Sequence, residues 1–525
     1  MTDMTFPYNA QNVDAFRRNP AIRLYGNRFS IDQTSIELLS EFFLVACSAK
    51  KIGDDEVETY FPSYETLLNW DNEKLKYAPT IRLNLKLFSF LSASRIDSRH
   101  VSHRKHHSYL IGRLKEKIDT KEDNENEIIK TLENLLMGLQ AAGYGRTWCA
   151  QSFLPICKNL IAGEAIWAET KAAKAGVQDW DEIFITNKRY FETNKHIFYA
   201  RGGELLYLQL CNGLQRTKEE IRSWSGKIGL GFEEEELDPS RLLSSLENGF
   251  DSLFKKSPQI IGKLANFIDE KLDKETSVKT DGEADFLRYV EAGWCNANTW
   301  QEGYLLAVDI VRILKSDFDI IESIHYLETL FVLHNLRTLA MQSSRQLDES
   351  KDYYMAVTSA SEEDGALKRI SHQSLKSIEK KIYYAINDFF ENQDYEKDQK
   401  YLNEASRRSG HKLFLNLAKK IDFVIPKKGS GARFVMTPEV LKLLVAITVP
   451  ENGRITYDTF KEIIKSRWGM VFDNRGFSEC NKSINGSEIY IDSNVDAWLI
   501  EMLDESGLLV HLSDSCALVL HPKQD

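Results

Sequence analysis

Proline and long apolar runs are both scarce in this chain. Only 11 prolines occur in 525 residues, and because proline breaks helices in their interior, the chain can form long uninterrupted helices. No apolar run approaches the roughly 20 residues that a membrane-spanning helix needs. Residues 1–20 also lack the apolar core of a signal peptide. We therefore expect a cytoplasmic protein with no membrane segment.

Cysteine pairs and catalytic motifs are missing as well. The seven cysteines are scattered, odd in number and without a C-x-x-C pair, a pattern typical of reduced, buried thiols rather than a disulfide framework. The sequence contains no G-x-x-x-x-G-K-[ST] loop, no G-x-S-x-G elbow, no H-E-x-x-H and no Rossmann fingerprint. These absences predict no cofactor, no metal ion and no recognisable enzyme chemistry.

Helical periodicity dominates what is present. Apolar residues recur at i, i+3 and i+4, the spacing of one helical face. The segments with this pattern are 35–49, 126–143, 240–254, 259–273, 298–346 and 374–393. The fold class that they predict is a mainly α, multi-lobed protein.

Polar stretches separate the helical segments and indicate four regions. The stretches are 119–127, 231–240, 274–285 and 347–365. The predicted regions are an N-terminal helical region (1–118), a central helical core (128–346), a helical segment with a basic hairpin (366–436) and an acidic C-terminal domain (437–525).

The last fifth of the chain changes character. Residues 421–426 and 432–437 are strand-like and flank the turn sequence KKGSG, which predicts a β-hairpin. From residue 437 onward the predicted order of helix, strand, helix, helix and two strands is typical of a winged helix. The elements of this winged-helix-like domain are 437–449, 454–457, 458–468, 493–506 and 507–520.

The charge of the C-terminal domain argues against DNA binding through its third helix. The whole chain carries a net charge of −11, and residues 437–525 hold 8 Lys and Arg against 14 Asp and Glu. In DNA-binding winged helices the third helix enters the major groove. Here that helix carries four acids and no Lys or Arg: Asp496, Glu501, Asp504 and Glu505. A protein partner is therefore the predicted ligand of this domain.

The segment just before this domain, residues 407–433, is strongly basic. Asp422 is its only acid, and Gly429 and Gly431 allow backbone amides to approach a phosphate closely. Its cations are Arg407, Arg408, Lys412, Lys419, Lys420, Lys427, Lys428 and Arg433. We predict that this segment contacts nucleic acid, with DNA the expected form. The alternative is a basic hairpin that docks on the chain's own acidic surface.

A second basic segment is rich in histidine. Residues 98–110 contain His100, His103, His106 and His107. The nearest cysteine is Cys149, so the ligand spacing of a zinc site is missing. The predicted contacts to an anion are Arg99, His103, Arg104 and Lys105, and affinity would rise between about pH 7.5 and 6 as histidines gain protons. The alternative is a solvated helix start.

One pair of residues raises an enzymatic alternative. Arg189 and His196 form an R-x6-H pattern that is similar to the Arg/His pair of HEPN-type ribonucleases. That resemblance implies a helical ribonuclease in which His196 serves as acid or base and Arg189 stabilises the phosphate. The alternative is a turn before the helix that begins near Gly202.

Two segments carry a broader resemblance. HIFYARGGELLYLQL (196–210) and PKKGSGARFVMTPEVLKLLVAITV (426–449) resemble parts of large helical proteins encoded in bacterial anti-phage defence operons. The resemblance implies a non-enzymatic nucleic-acid-binding or scaffold subunit that works with a separate ATPase or nuclease. A purely structural protein-interaction scaffold is the remaining alternative.

Overall fold

The computed structural model describes residues 5–8, 19–26, 33–92, 101–119, 124–141, 146–167, 191–192, 201–271, 289–347, 353–391, 399–489, 494–513 and 516–522. It is 62% helical, and its strands have two to five residues. The prediction of a mainly α protein is therefore confirmed.

The helices fall into an N-terminal, a central and a C-terminal series. The first series is α1 (Pro20–Tyr25), α2 (Ser35–Cys47), α3 (Tyr64–Leu68), α4 (Leu83–Phe90), α5 (Val101–Lys117) and α6 (Glu125–Met137). The second is α7 (Gly202–Leu214), α8 (Lys218–Ile228), α9 (Pro239–Lys255), α10 (Gln259–Asn266), α11 (Trp300–Lys315) and α12 (Ile320–Gln346). The third is α13 (Gly365–Glu391), α14 (Gln399–Ser409), α15 (His411–Lys420), α16 (Pro438–Thr448), α17 (Tyr457–Trp468), α18 (Asn474–Asn485) and α19 (Ala497–Glu505).

The strands are short and form small separate sheets. They are β1 (Thr5–Phe6), β2 (Lys50–Ile52), β3 (Asp55–Val57), β4 (Leu75–Tyr77), β5 (Ile166–Trp167), β6 (Phe191–Glu192), β7 (Val290–Glu291), β8 (Cys295–Asn296), β9 (Met355–Ala356), β10 (Val424–Ile425), β11 (Arg433–Phe434), β12 (Arg454–Thr456), β13 (Met470–Val471), β14 (Leu509–Ser513) and β15 (Cys516–Leu520). One sheet has the order β3-β2-β4-β7, so residues near 50–77 pair with a strand more than 200 residues further along the chain.

Close helix packing forms the centre of the molecule. Helix α7 lies between α2 and α11, and glycine occupies both contacts. A Cβ at Gly203 would lie 2.3 Å from the carbonyl oxygen of Leu38, and one at Gly303 would lie 1.8 Å from that of Gln209. Larger residues at these two positions would force the helices apart, so the contacts require glycine.

The ends of these helices follow from local sequence. Thr34 and Glu37 form a capping box at the start of α2, in which each side chain bonds the other residue's backbone N–H. The Asp238 side chain accepts two backbone N–H groups at the start of α9, where Pro239 occupies the first position. These caps set the helix boundaries that the apolar periodicity alone leaves open.

The C-terminal region contains the predicted order of helices and strands, with two additions, β13 and α18. Its sheet has the antiparallel order β12-β15-β14. Helix α18, which the sequence analysis did not anticipate, lies between α17 and α19, and the adjacent strand β13 pairs in parallel with β9. The description of this region as a winged helix stays a prediction.

Buried ion pairs join the C-terminal region to the central helices. The Arg467 guanidinium on α17 donates to the Asp309 carboxylate on α11, and both side chains are fully buried. Arg312, one turn further along α11, donates to the Glu236 carboxylate at 2.6 Å and to the carbonyl oxygen of Ile447 at 2.8 Å. Burial raises the pKa of Asp309, and Arg467 and then Arg337 oppose that rise. Each of these charges therefore depends on its partner for stabilisation.

The apolar core is continuous along the chain. One cluster of buried side chains extends from Phe6 to Val519 and draws on all four predicted regions. Five of the seven cysteines are buried, and all seven are free thiols. Among the described residues, none of the helices combines the length and apolar character needed to cross a membrane.

Candidate nucleic-acid interface

The basic segment 407–433 folds as two short helices followed by a hairpin. Strands β10 and β11 pair antiparallel, with Ile425 opposite Arg433, and residues 426–432 connect them. Gly429 and Gly431 have φ values of 102° and 77°, and a Cβ at either glycine would have no neighbour within 4 Å. The turn 427–431 therefore projects into solvent with its backbone open to a ligand.

Hydrogen bonds hold the hairpin against α13. The backbone N–H of Phe434 donates to the Ser371 hydroxyl at 3.0 Å, and the Nδ1 atom of His372 lies 2.6 Å from the carbonyl oxygen of Ala432. The Arg433 guanidinium donates to the carbonyl oxygen of Ala360 at 2.9 Å. Arg433, one of the predicted contact residues, therefore uses its side chain partly to stabilise the fold, whereas the turn stays exposed.

The remaining cations of the segment divide by their partners. Lys427 pairs with Asp422 at 2.7 Å, and the Lys420 ammonium donates to the carbonyl oxygen of Gln33 at 2.6 Å. Two further contacts lie near these: Arg408 pairs with Glu404, and Lys419 donates to the carbonyl oxygen of Lys427.

Three cations of the segment lack such a partner. Arg407, Lys412 and Lys428 are exposed and form no ion pair with the residues that the structure describes. Lys412 and Lys419 lie seven residues apart on α15, hence on the same helical face, and that face leads to the turn 427–431. We call the exposed cations of segment 407–433 and this turn the basic face.

Helix α13 extends the basic face with residues that the sequence analysis missed. Lys376 and Lys380 are exposed, as are the neighbouring rings of Tyr383 and Tyr384. The ring of Tyr383 meets that of His411 edge-on, with centroids 6.1 Å apart. The signal was available in the sequence, because these four α13 residues recur at i, i+4, i+7 and i+8 within the predicted helix 374–393.

His411, which borders this surface, is neutral near pH 7. Burial is the main reason that the pKa of His411 falls below its usual range, and the positive charges of Lys412 and Lys376 act in the same direction, while Glu379 opposes them. The Nδ1 atom of His411 lies 3.0 Å from the Ser406 hydroxyl. At neutral pH the positive charge of the basic face therefore comes from lysine and arginine.

The described part of the histidine-rich segment is helix α5, in which His103 and His106 face inward. His103 is 1% exposed, and its Nδ1 atom accepts the Trp148 indole N–H at 3.1 Å. His106 is also buried, and burial lowers the pKa of His107. The prediction that His103 contacts an anion is therefore wrong, because a buried ring cannot reach a phosphate. For His103 and His106 the expected rise in affinity loses its basis for the same reason, whereas His100 lies outside the described residues.

The other predicted residues of this segment have different outcomes. Arg104 and Lys105 lie on the exposed side of α5, so they stay available as predicted contacts. Arg99 lies outside the described residues.

The proposed ribonuclease pair also lies outside the described residues. This applies to both Arg189 and His196. The neighbouring sequence Arg201–Leu210 is described, and there α7 begins directly after Arg201, which has a positive φ of 60°.

A cluster of buried carboxylates surrounds the start of α7. The Glu41 carboxylate accepts the backbone N–H of Gly203 at 2.9 Å and the Gln33 side-chain amide at 3.1 Å. Burial raises the pKa of Glu41 to about 8, and the nearby charge of Glu204 adds to that rise. Glu204 in turn accepts the hydroxyl of Tyr77 at 2.9 Å. These contacts anchor α7 to α2 and β4, which makes the cluster a structural feature of the core.

Neither a metal site nor a relative points to a ligand for the part of the chain that the structure describes. Among the described residues, no three His, Cys, Asp or Glu side chains come together as a metal site. No protein-family model matches the chain, and no curated protein or solved structure matches it.

Proposed function

We propose that the protein is a non-enzymatic nucleic-acid-binding subunit that contacts phosphates through the basic face. The observation that carries the proposal is the set of exposed, unpaired cations Arg407, Lys412 and Lys428 in a segment that also contains an open glycine turn. Lysine and arginine bind phosphates and release counterions, which gives salt-dependent affinity. Exposed backbone amides at a turn add hydrogen-bond donors for the same anion.

Charge reversal at the basic face tests this proposal. In a fluorescence anisotropy titration with duplex DNA, single-stranded DNA and RNA, Lys412→Glu with Lys428→Glu should weaken binding at least tenfold. For duplex DNA the slope of log affinity against log salt should become shallower by about 0.9 for each phosphate that the variant no longer neutralises. The matched control reverses Lys255 and Lys263, which are exposed on α9 and α10. Equal binding by the two double variants would contradict the proposal.

The acidic C-terminal region is proposed to bind a protein of the same system. Strand β14 is an edge strand in the sheet of described strands, and Val510 and Leu512 on it are 41% and 59% exposed. Glu501 and Glu505 on the neighbouring helix α19 are exposed too. An open strand edge with apolar side chains is a docking element for an extended segment of another protein.

Co-expression with the products of neighbouring genes tests the second contact. A separate ATPase or nuclease of a bacterial defence complex is the proposed partner. Capture should be abolished by Val510→Ser with Leu512→Ser and kept on reversal of Lys412 and Lys428. Retention of the partner by the β14 variant would exclude this docking surface.

A cleavage assay separates binding from the ribonuclease alternative. The binding proposal expects the purified protein to leave RNA intact over the whole incubation. Loss of an observed cleavage activity on His196→Ala would instead support the alternative and contradict a non-enzymatic role.

A further inference from the structure

Two adjacent tyrosines on α13 expose their rings to solvent. Tyr383 is 41% and Tyr384 is 55% exposed, and their ring centroids lie 5.9 Å apart. Tyrosine gains most by burying its ring and leaving only the hydroxyl in water. Two neighbouring rings that remain open are therefore suited to bind a flat apolar ligand.

The two rings lie within the basic face. Lys380 is one helical turn before both tyrosines, and residues three and four apart are neighbours on a helix surface. On the other side the ring of Tyr383 contacts His411, the residue before Lys412. A flat ligand on these rings would thus have ammonium groups on two sides.

The acids near the tyrosines have partners of their own. Asp388, one helical turn after Tyr384, accepts the side-chain amide of Gln346 at 2.9 Å. Glu379 is 8% exposed and pairs with Lys376 at 2.6 Å. The Glu391 carboxylate, two turns further along α13, accepts the amide of Asn387 at 2.7 Å. Lys380 and Lys412 form no ion pair with the residues that the structure describes, so their charges face the solvent beside the rings.

The tyrosines and the glycine turn stand at two ends of one surface. His372 contacts Ala432 of the hairpin, and Tyr383 follows 11 residues later on the same helix. At a rise of 1.5 Å per residue the two points are about 16 Å apart. A single strand of a few nucleotides can span that distance, and proteins that bind single strands have site sizes of about 4–16 nucleotides.

We propose that Tyr383 and Tyr384 form a stacking platform for unpaired bases, so that the ligand of the basic face is single-stranded nucleic acid. This inference rests on the proposed function. Bases of a single strand offer their flat faces to aromatic rings, whereas a duplex buries those faces in its own stack. The backbone of the strand would extend from the tyrosines along Lys412 toward the turn 427–431.

The test compares a fluorescein-labelled single-stranded DNA 20-mer with its 20-base-pair duplex in anisotropy titrations. Tyr383→Ala with Tyr384→Ala should weaken binding of the single strand about 5- to 150-fold for each base that no longer stacks. Binding of the duplex and the salt slope should stay unchanged. Tyr383→Phe with Tyr384→Phe keeps the rings and should restore the affinity for the single strand, which separates stacking from a loss of fold.

Each outcome decides between the two proposals. If reversal of Lys412 and Lys428 leaves both DNA forms bound as before, the proposed function fails. If that reversal weakens binding but the alanine pair at the tyrosines does not, only the stacking platform is overturned. Equal weakening of the single strand and the duplex by the alanine pair overturns the platform too, because a base-stacking contact discriminates between them.

Discussion

The basic face and the acidic C-terminal region are neighbours in the chain, but they use charge in opposite ways. Segment 407–433 leaves most of its cations exposed, and its hairpin is held against α13 by hydrogen bonds to the Ser371 hydroxyl and the His372 ring. The C-terminal region is acidic on the outside, yet a buried cation, Arg467, attaches it to the core through Asp309. Charge on the basic face thus lies open to solvent, whereas the buried charge of Arg467 contributes to the fold.

This difference indicates where each kind of charge can be removed. Replacing a cation on the basic face such as Lys428 should lower the stability of the protein little, because its side chain contacts solvent. Replacing one partner of the Asp309 pair leaves a guanidinium without its counter-charge in a region of low dielectric constant. The comparison therefore predicts separate effects on stability and on binding.

The largest expected effect comes from Asp309→Ala. Removal of one partner from a buried ion pair costs about 3–5 kcal/mol of unfolding free energy, here because Arg467 and Arg337 both lose the carboxylate that compensates them. Urea unfolding measures the loss. The control is Glu235→Ala, which breaks an exposed pair with Lys315 and should cost less than about 1 kcal/mol. Similar costs for the two variants would remove the distinction between buried and exposed charge.

A second buried acid sharpens the comparison through pH. Glu41 accepts hydrogen bonds from neutral donors, and its pKa is raised to about 8. The folded protein therefore keeps Glu41 protonated at pH values above the ordinary pKa of 4.5. The contribution of Glu41 to the free energy of unfolding is fully present below about pH 4.5 and is lost as the pH rises to about 8. Glu41→Gln should become more stable than the natural protein by about 2–4 kcal/mol on going from pH 5 to 8.

Urea unfolding at the two pH values checks the Glu41 prediction. Glu58→Gln, at an exposed position, is the matched control and should show the same pH dependence as the natural protein. If the difference in unfolding free energy between Glu41→Gln and the natural protein is the same at both pH values, the raised pKa of Glu41 is contradicted.

Sequence reasoning found the elements that depend on local pattern and missed those that depend on distant contacts. Apolar periodicity predicted α12, and the glycine-rich turn predicted the hairpin. The sheet order β3-β2-β4-β7 could not be predicted, because β7 lies more than 200 residues after β4 in the chain. Helix α18 had signals, an Asp473 cap and a Gly486 stop, but few apolar residues marked its buried face.

The candidate site shows the same division. Charge counting located segment 407–433, whereas the sequence alone did not reveal which cations form pairs. His103 was assigned to a surface because it lies among arginines. Its spacing of seven and eleven residues from Leu110 and Leu114 places it on their helical face, and both leucines are buried. That periodic relation, rather than the local charge, indicates the burial of His103.

A smaller effect on binding should appear below neutral pH. The pKa of His411 is lowered from 6.5, so its ring is neutral above that pH and gains a proton only below it. A proton there adds positive charge to the basic face, so affinity for nucleic acid should be constant from pH 8 to 7 and rise about two- to fivefold at lower pH. His411→Asn should abolish the rise.

The acidic region supplies the control for this pH effect. His511 on β14 lies 3.9 Å from the Asp504 carboxylate. It belongs to the acidic C-terminal region and not to the basic face. His511→Asn should keep the rise in affinity at low pH. Loss of the rise in this variant would mean that the two regions share one binding surface.

The smallest effect on stability should come from the outer side of β14. Leu512 is 59% exposed, and Leu509 on the same strand is 6% exposed. Leu512→Ser should therefore change the unfolding free energy by no more than about 0.5 kcal/mol, whereas Leu509→Ser should cost at least about 2 kcal/mol because it removes buried apolar atoms. If Leu512→Ser proves as costly as Leu509→Ser, the side chain belongs to the core. If Leu512→Ser leaves the unfolding free energy nearly unchanged and also abolishes binding of the partner protein, the exposed apolar edge of β14 serves binding. It would then correspond to the exposed cations that we propose for binding on the basic face.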